Sequence, residues 1–447
     1  MPYDARVSEP RKDEVKIPVA GRAVAFGVTW IAYFTYYLGR KGISAAKTGI
    51  ADDRALGAGA LVGVETALLT AYALGQYASG FLGDRIGARR LVTFGLLASA
   101  AACLAFGFSS AGWMFVIAYL VNGFAQSTGW PGTTKAMAEW TTPADRGRVM
   151  GLWGTCYQVG GAVATIICAR LIVAYGWRAA FIGPAFILVA VALLVHLLLK
   201  RGPAAIAPRT AADQVGARAD ADAAREAQRR VLRNPLIYSY GTAYFCIKLV
   251  RYSLLFWLPW YLTKQLGYAK DDANYISTAF ELGGFFGTIA LGWVSDRFVR
   301  GGVGGTRAQP RAAFAVAALV LLAGSLGLFA ASASASTIVC IATLALVGFC
   351  LFGPDALISG AAAQDAGGPH AAAFAAGVVN GIGSIGAILQ ELVTKGVSES
   401  YGWNALFIVF VGLALLAAAC LVPGVVLQRR AIAADRSKAS RTVDLAG

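Results

Sequence analysis

GFLGDRIGARR, residues 80–90, and GWVSDRFVRGG, residues 292–302, are one short motif written twice. Each has a glycine, three further residues, Asp-Arg, and then more arginines. The first copy follows the second long apolar run of the chain, and the second copy follows the eighth. If the chain is divided near its middle, the eighth run is the second run of the other half. A matching motif in the matching turn of each half indicates an internal duplication.

The runs themselves decide the class. The chain has 447 residues, is 57% hydrophobic and only 14% charged. A soluble chain of this length divides into several domains and carries a more charged surface. Here the apolar residues come in blocks such as VTFGLLASAAACLAFGF (92–108) and AFILVAVALLVHLLL (185–199). About 20 such residues cross a hydrocarbon core of about 30 Å as a helix. Twelve candidate spans are read: 22–41, 57–80, 91–110, 112–138, 149–172, 179–199, 235–262, 274–295, 312–332, 335–362, 371–395 and 403–427. The sequence therefore predicts an all-α polytopic membrane protein with twelve transmembrane helices in two six-helix bundles.

Segment 200–234 is the only long polar stretch inside the chain and reads as a partly helical linker. The expected organisation is a polar tail (1–20), an N-terminal bundle (21–199), the linker (200–234), a C-terminal bundle (235–428) and a second tail (429–447). No cleavable signal is visible in the first tail. The net charge of +15 concentrates in the linker, in the turns at 84–90 and 296–311, and after Arg429. By the positive-inside rule these segments and both termini lie in the cytoplasm.

Other classes fit poorly. Bases at membrane-flanking turns do not make a nucleic-acid surface. The seven cysteines all fall inside apolar spans with no metal-ligand spacing, and His196 and His370 follow no metalloenzyme pattern. GVGGTR (302–307) lacks the lysine and the strand–helix setting of a phosphate-binding loop. No nucleophile–base pair, metal site or cofactor site is read, so an enzyme is not expected.

Gly80, Asp84, Arg85, Gly87, Arg89 and Arg90 resemble the loop motif of the major facilitator superfamily, and Asp296 and Arg297 belong to its second copy. The resemblance implies a carrier with its substrate held between two halves near mid-membrane. It also makes Gly80, Asp84, Arg85, Arg89, Asp296 and Arg297 candidates for a gate. Asp84 can accept bonds from helix N-terminal amides or an arginine, and Gly80 permits close helix approach. Lys135, near the same end of span 4, is a further candidate.

Polar residues inside spans are expensive and mark such a site. Span 1 aligns Tyr33, Tyr37 and Arg40 at i, i+4 and i+7, with Lys41 beside them. Span 7, its counterpart, aligns Tyr244, Lys248 and Arg251 at the same spacing. An intramembrane arginine costs about 2.5–3.5 kcal/mol on insertion scales. Two at equivalent positions call for an anion, and a phosphate of about −1.5 to −2 charges matches two guanidinium forks. The alternative is that Arg40 snorkels to the surface and Arg251 pairs with Glu281.

YYLGRK (36–41), NGFAQSTGWPGTTKAMAEW (122–140), LWGTCYQVGG (152–161) and LVRYSLLFWLPWYL (249–262) resemble the organophosphate:phosphate antiporter family. LFGPDALISGAAAQDAG (351–367) and VVNGIGSIGAIL (378–389) are similar to its animal sugar-phosphate exchanger branch. The resemblance implies that Arg40 and Arg251 bind phosphate, with Tyr33, Tyr37, Tyr72 and Glu281 around them. The chain departs from the family's glycerol-3-phosphate carriers at Gln76, Tyr157 and Lys248, where those have lysine, histidine and tyrosine. Asn122, Gln126, Trp130, Trp153, Tyr157, Asp355 and Asn380 are candidates for reading the organic part. Helix–helix hydrogen bonding is the alternative for each.

The expected function is exchange of an organophosphate (hexose phosphate, glycerol phosphate or phosphoglycerate) for inorganic phosphate by alternating access. In this scheme the empty site stays open because Arg40 and Arg251 repel. The expected partners are the phosphorylated substrate, phosphate and the lipid bilayer of a bacterial inner membrane, with the carrier a monomer. Two rivals stand beside it. One is a proton-coupled organic-anion symporter using Glu65, Glu281 or Asp355. The other is a membrane sensor of sugar phosphate.

Overall fold

The computed structural model describes residues 17–52, 58–142, 144–203, 213–299 and 310–444. Most of the expected tail 1–20, the segment 204–212 of the linker and the GVGGTR stretch lie outside the described residues. The helices in chain order are α1 (Val19–Asp52), α2 (Ala58–Ile86), α3 (Ala88–Gly107), α4 (Gly112–Ser127), α5 (Gly129–Glu139), α6 (Arg146–Trp153) and α7 (Thr155–Tyr175). They continue with α8 (Ala179–Leu198), α9 (Asp213–Arg233), α10 (Pro235–Lys264), α11 (Lys270–Val299), α12 (Arg311–Ser332), α13 (Thr337–Ala356) and α14 (Ala363–Asp444). No strand occurs among the described residues.

Breaks inside spans have identifiable causes. The fourth span is α4 plus α5, interrupted at Thr128. Pro131 offers no N–H to the carbonyl one turn back, so the helix cannot run through unaltered. The fifth span is α6 plus α7, interrupted at Gly154. The tenth is α13, which contains Pro354 and widens into a π turn over Leu357–Ala362. Single π turns of this kind collect at functional sites, and this one follows Asp355 directly. Within α14 the backbone leaves helical geometry at Gly368, Ala371 and Gly402, which separates the last three spans. Gly368 and Gly402 sit at φ of 64° and 83°, which only glycine adopts without strain.

Starts are equally legible. Asn234 accepts a 3.0 Å bond from the Leu236 N–H and Pro235 occupies the first turn of α10, a side-chain cap followed by a residue with no N–H to lose. Among the described residues, six stretches are long and apolar enough to cross a membrane by length and composition. Helices α1 and α10, with their tyrosines and buried cations, do not reach that average. Charge also misplaces a boundary: α1 continues to Asp52, so Arg40 lies inside a helix rather than at the end of one. The Arg40 guanidinium lies against the Tyr37 and Tyr72 rings and the Gln126 amide. Past Arg429, the expected tail is helical to Asp444.

Helices α1–α8 form one bundle and α10–α14 the other, with α9 lying along α14 and α2. Gln228 of α9 donates to the Phe81 carbonyl of α2 at 3.3 Å. The bundles meet most closely where α2 crosses the eleventh span and where α6 crosses α11. Equivalent glycines make both approaches possible. A Cβ on Gly80 would come within 2.9 Å of the Ala373 carbonyl oxygen, and one on Gly292 within 2.5 Å of the Gly147 carbonyl oxygen.

Each crossing carries one buried aspartate on a helix N-terminus of the other bundle. Asp84 accepts the N–H groups of Ala373 (3.2 Å) and Phe374 (2.9 Å) at the start of the eleventh span. Asp296 accepts those of Gly147 (2.9 Å) and Arg148 (2.6 Å) at the start of α6. The free N–H groups and the positive end of the helix dipole both favour a carboxylate there. Lys135 holds Asp84 at 3.0 Å, and Arg311 holds Asp296 at 2.5 Å. Arg311 also reaches Asp365 at 2.8 Å, which in turn pairs with Arg146.

The arginines of the motif itself lie elsewhere. Arg85 is exposed and stacks 3.7 Å from the Phe81 ring centre, and Arg297 does the same over Trp293 at 4.1 Å. Arg89 is exposed. In this structure the cations that hold the two aspartates are Lys135 and Arg311, and Arg85, Arg89 and Arg297 pair with neither. Removing Asp84 leaves two helix N–H groups and one ammonium without their partner, at about 1–3 kcal/mol for each buried group. Asp84→Ala is expected to raise labelling of a cysteine introduced at buried Ser359, in a background lacking the native cysteines, by about tenfold from the motif side. Unchanged labelling would contradict the latch.

Candidate functional site

Arg40 (α1) and Arg251, midway along the thirty-residue α10, face each other from the two bundles. Tyr37 and Tyr252 lie within electrostatic range of both guanidiniums. Arg40 rests 5.1 Å from the Tyr37 ring centre and 4.7 Å from that of Tyr72. Among the described residues its one hydrogen bond is a long 3.4 Å contact to Gln126 Oε1, and its Nε is buried without a partner. Tyrosine faces stabilise a cation but do not neutralise it.

Arg251 is placed differently. Its Nη1 contacts both oxygens of Asp355, at 3.1 and 3.0 Å. The expected alternative partner, Glu281, is not its ion-pair partner; Asp355 is. Glu281 instead lies near Lys41, across the bundle boundary. Because both carboxylate oxygens converge on one nitrogen, the Nε edge of Arg251 is left, and that Nε is also buried without a partner among the described residues. The guanidinium is walled by Tyr157 and Phe352, each 4.8 Å to the ring centre, and by Tyr252 at 5.5 Å. Tyr157 donates its hydroxyl to Asp355 at 3.3 Å, joining the bundles.

Lys248, one turn before Arg251, has neutral partners. Its ammonium donates to Asn380 Oδ1 at 2.7 Å and to Ser384 Oγ at 3.0 Å. Asn380 passes the connection to the other bundle by donating to the Tyr72 hydroxyl at 3.2 Å. The Tyr72 ring thus borders both Arg40 and Lys248, the latter at 5.8 Å from its centre. Gln76, one turn further along the same face of α2, is fully buried, and neither atom of its amide has a partner among the described residues.

Two expected site residues are drawn into the framework. Asn122 is fully buried, accepts from Ser99 at 2.7 Å and donates to the Gly39 carbonyl at 2.9 Å. Trp153, also fully buried, donates to Thr29 at 3.0 Å and packs on Tyr33 and Trp130. In this structure the polar atoms of both are committed to neighbouring helices, the helix–helix alternative named for them. Trp130 donates to the Ser359 carbonyl at 3.0 Å, a contact between bundles. Tyr33 packs edge-on against Tyr37 and Trp130. Gln126 stays at the border, donating to Ser99 at 2.9 Å while accepting from Arg40.

The sequence reading missed Ser384 and Tyr252 as neighbours of the cations. Ser384 was findable, since it follows Asn380 by one turn; Tyr252 lies off the stripe that the i, i+4, i+7 spacing picks out. Asn122→Ala is expected to lower the thermal stability of the purified protein by about 1–3 kcal/mol, because Ser99 and Gly39 lose a buried partner. Apparent affinity for any ligand is expected to hold, and a change in affinity without loss of stability would place Asn122 back in the site.

Residues 29–390 match the model of the Major Facilitator Superfamily. Sugar phosphate exchanger 3 of Gallus gallus is 30% identical over 83% of this chain and 80% of its own length. The membrane sensor protein UhpC of Escherichia coli (strain K12) is 30% identical over 88% of this chain and 90% of its own. The proton:xylose symporter XylE, solved with 6-bromo-6-deoxy-D-glucose, superposes with a TM-score of 0.69 over 91% of this chain and 96% of its own at 14% identity, a likeness of fold. Two six-helix bundles, duplicated aspartate latches and these matches agree: the chain is a membrane transporter, not an enzyme, and belongs to the organophosphate:phosphate antiporter branch of the major facilitator superfamily.

Proposed function

We propose that the protein exchanges an organophosphate for inorganic phosphate by alternating access, as a monomer in a bacterial inner membrane with both termini cytoplasmic. One observation carries this reading. Arg40 and Arg251 occupy matching helices of the two halves, and each keeps a buried Nε with no partner among the described residues. A buried guanidinium whose donors are unpaired costs several kcal/mol, at about the scale of breaking a buried ion pair. A phosphate accepting from both Nε edges removes that cost at one stroke and ties one bundle to the other. One relative's name, sugar phosphate exchanger 3, gives that protein a phosphorylated ligand, in keeping with this reading.

With the basic motif turns assigned to the cytoplasm, the latched end is the cytoplasmic one, and the structure corresponds to the state closed on that side. Anion binding draws the Arg40 and Arg251 halves together above the latch, and Asp84 and Asp296 release their helix ends as the bundles rock. The bare repulsion expected between the two arginines is reduced, because Asp355 already neutralises Arg251. Preference for the loaded carrier then comes from pairing the two Nε edges rather than from relief of repulsion. A second reading, a sensor of sugar phosphate, is favoured by the similarity to UhpC and uses the same site.

The test is uptake of labelled phosphate into proteoliposomes loaded with unlabelled phosphate. Arg40→Lys and Arg251→Lys keep the charge but lose the fork, and each is expected to lower exchange by about tenfold or more at unchanged membrane insertion. Wild-type rates in both variants would contradict the anion clamp. Ligand binding by the wild-type protein without any uptake would transfer the assignment to the sensor.

A further inference from the structure

Resting on the reading that Arg40 and Arg251 hold a phosphoryl group, we infer that Asp355 is a specificity-determining residue. It restricts the carrier to phosphate monoesters with a neutral, hydroxylated organic part and turns away phosphates that bear an additional carboxylate.

The side chains around the two unpaired Nε atoms include three cations, the buried Lys248 and Arg251 and the half-buried Arg40, and one buried carboxylate, Asp355. Lys41 and Glu281, beside this layer, carry opposite charges within range of one another. The remaining groups, Tyr72, Gln76, Tyr157, Asn380 and Ser384, are neutral. The site therefore presents two positive charges beyond its own compensation. Uncompensated charge out of water is costly, so a ligand that fits must bring close to two negative ones. A phosphate monoester brings about −1.5 to −2 near neutral pH, and inorganic phosphate brings a similar charge. Addition of a carboxylate, as in a phosphoglycerate, leaves one negative charge unpaired.

Asp355 sets this count by its placement. It is buried, and both of its oxygens lie on Nη1 of Arg251. It subtracts one charge while leaving the Nε edge open. Pro354 before it and the π turn after it fix its position on the tenth span, and the Tyr157 hydroxyl holds it from the other bundle. Without it, three cations would meet the ligand, the complement expected for a phosphate that also carries a carboxylate. The neutral surroundings say what the rest of the ligand is. Gln76 is a fully buried primary amide with neither atom paired among the described residues, one turn from the Tyr72 that borders both Arg40 and Lys248. An amide with donors and an acceptor to spare suits hydroxyl groups.

The experiment is competition against labelled phosphate uptake in phosphate-loaded proteoliposomes. Glycerol 3-phosphate and glucose 6-phosphate are compared with 3-phosphoglycerate and phosphoenolpyruvate, in the wild-type protein, Asp355→Asn and Asp355→Glu. The wild-type protein is expected to favour the better neutral-tailed ester over both carboxylated phosphates by about tenfold or more. Asp355→Asn is expected to shift that ratio toward the carboxylated pair by about tenfold, and Asp355→Glu to restore it. A wild-type preference for the carboxylated phosphates, or an unchanged ratio in Asp355→Asn, overturns the proposal. Should Asp355→Asn bring uptake below detection, thermal stabilisation of the purified proteins by the same four compounds reads the same ratio. That second readout also separates the two claims. Stabilisation with the predicted ratio in a wild-type protein that does not exchange phosphate overturns the exchange reading and supports the charge selection; no stabilisation by any of the four overturns the charge selection.

Discussion

The structure is organised around buried positive charge that the protein only partly compensates. Three cations sit between the two bundles, and one carboxylate answers them. In a soluble protein such groups would turn to water. Inside a bilayer they cannot, so every neighbour is chosen to make the cost bearable without cancelling it. Tyrosine faces line Arg40 and Arg251, amide and hydroxyl oxygens take the Lys248 ammonium, and Asp355 takes a single nitrogen of Arg251. On the proposed function, incomplete internal pairing is what leaves the site receptive to an anion.

The same economy operates at the latched end, with the opposite outcome. There each aspartate is fully satisfied, by two backbone N–H groups and one cation, and the duplicated arrangement closes both crossings at once. These bonds are made only while the helix ends touch. Between latch and site run the cross-bundle contacts Trp130–Ser359, Tyr157–Asp355 and Asn380–Tyr72. Two of the three involve groups that border the cations. Occupancy of the site and closure of the bundles therefore act on a shared set of bonds, which is the physical requirement for coupling binding to alternating access.

Much of this was legible in the sequence. Apolar runs located the twelve spans, the repeated Asp-Arg turn located the duplication, and the i, i+4, i+7 spacing put Arg40, Lys248 and Arg251 on inward faces. What failed has a common cause: partner choice across long sequence separations. Glu281 was the counter-ion expected for Arg251 in one dimension, whereas the carboxylate that reaches it is Asp355, 104 residues away on the tenth span, beside Pro354 and the π turn. Asn122 and Trp153 looked available because the sequence does not show Ser99, Gly39 and Thr29 closing on them. At the gate, Lys135 was read as a candidate and Arg311 was not, for a related reason. The motif's arginines are adjacent to the aspartates in sequence, whereas Lys135 and Arg311 reach them from neighbouring helices.

The most direct test of the central claim is a cryo-electron microscopy map of the protein in lipid nanodiscs with saturating phosphate. The account predicts density for one phosphate between the bundles, with oxygens within about 3 Å of the Nε atoms of both Arg40 and Arg251, and Asp355 still on Nη1 of Arg251. Density touching one arginine alone, or a phosphate that displaces Asp355 from Arg251, would contradict it.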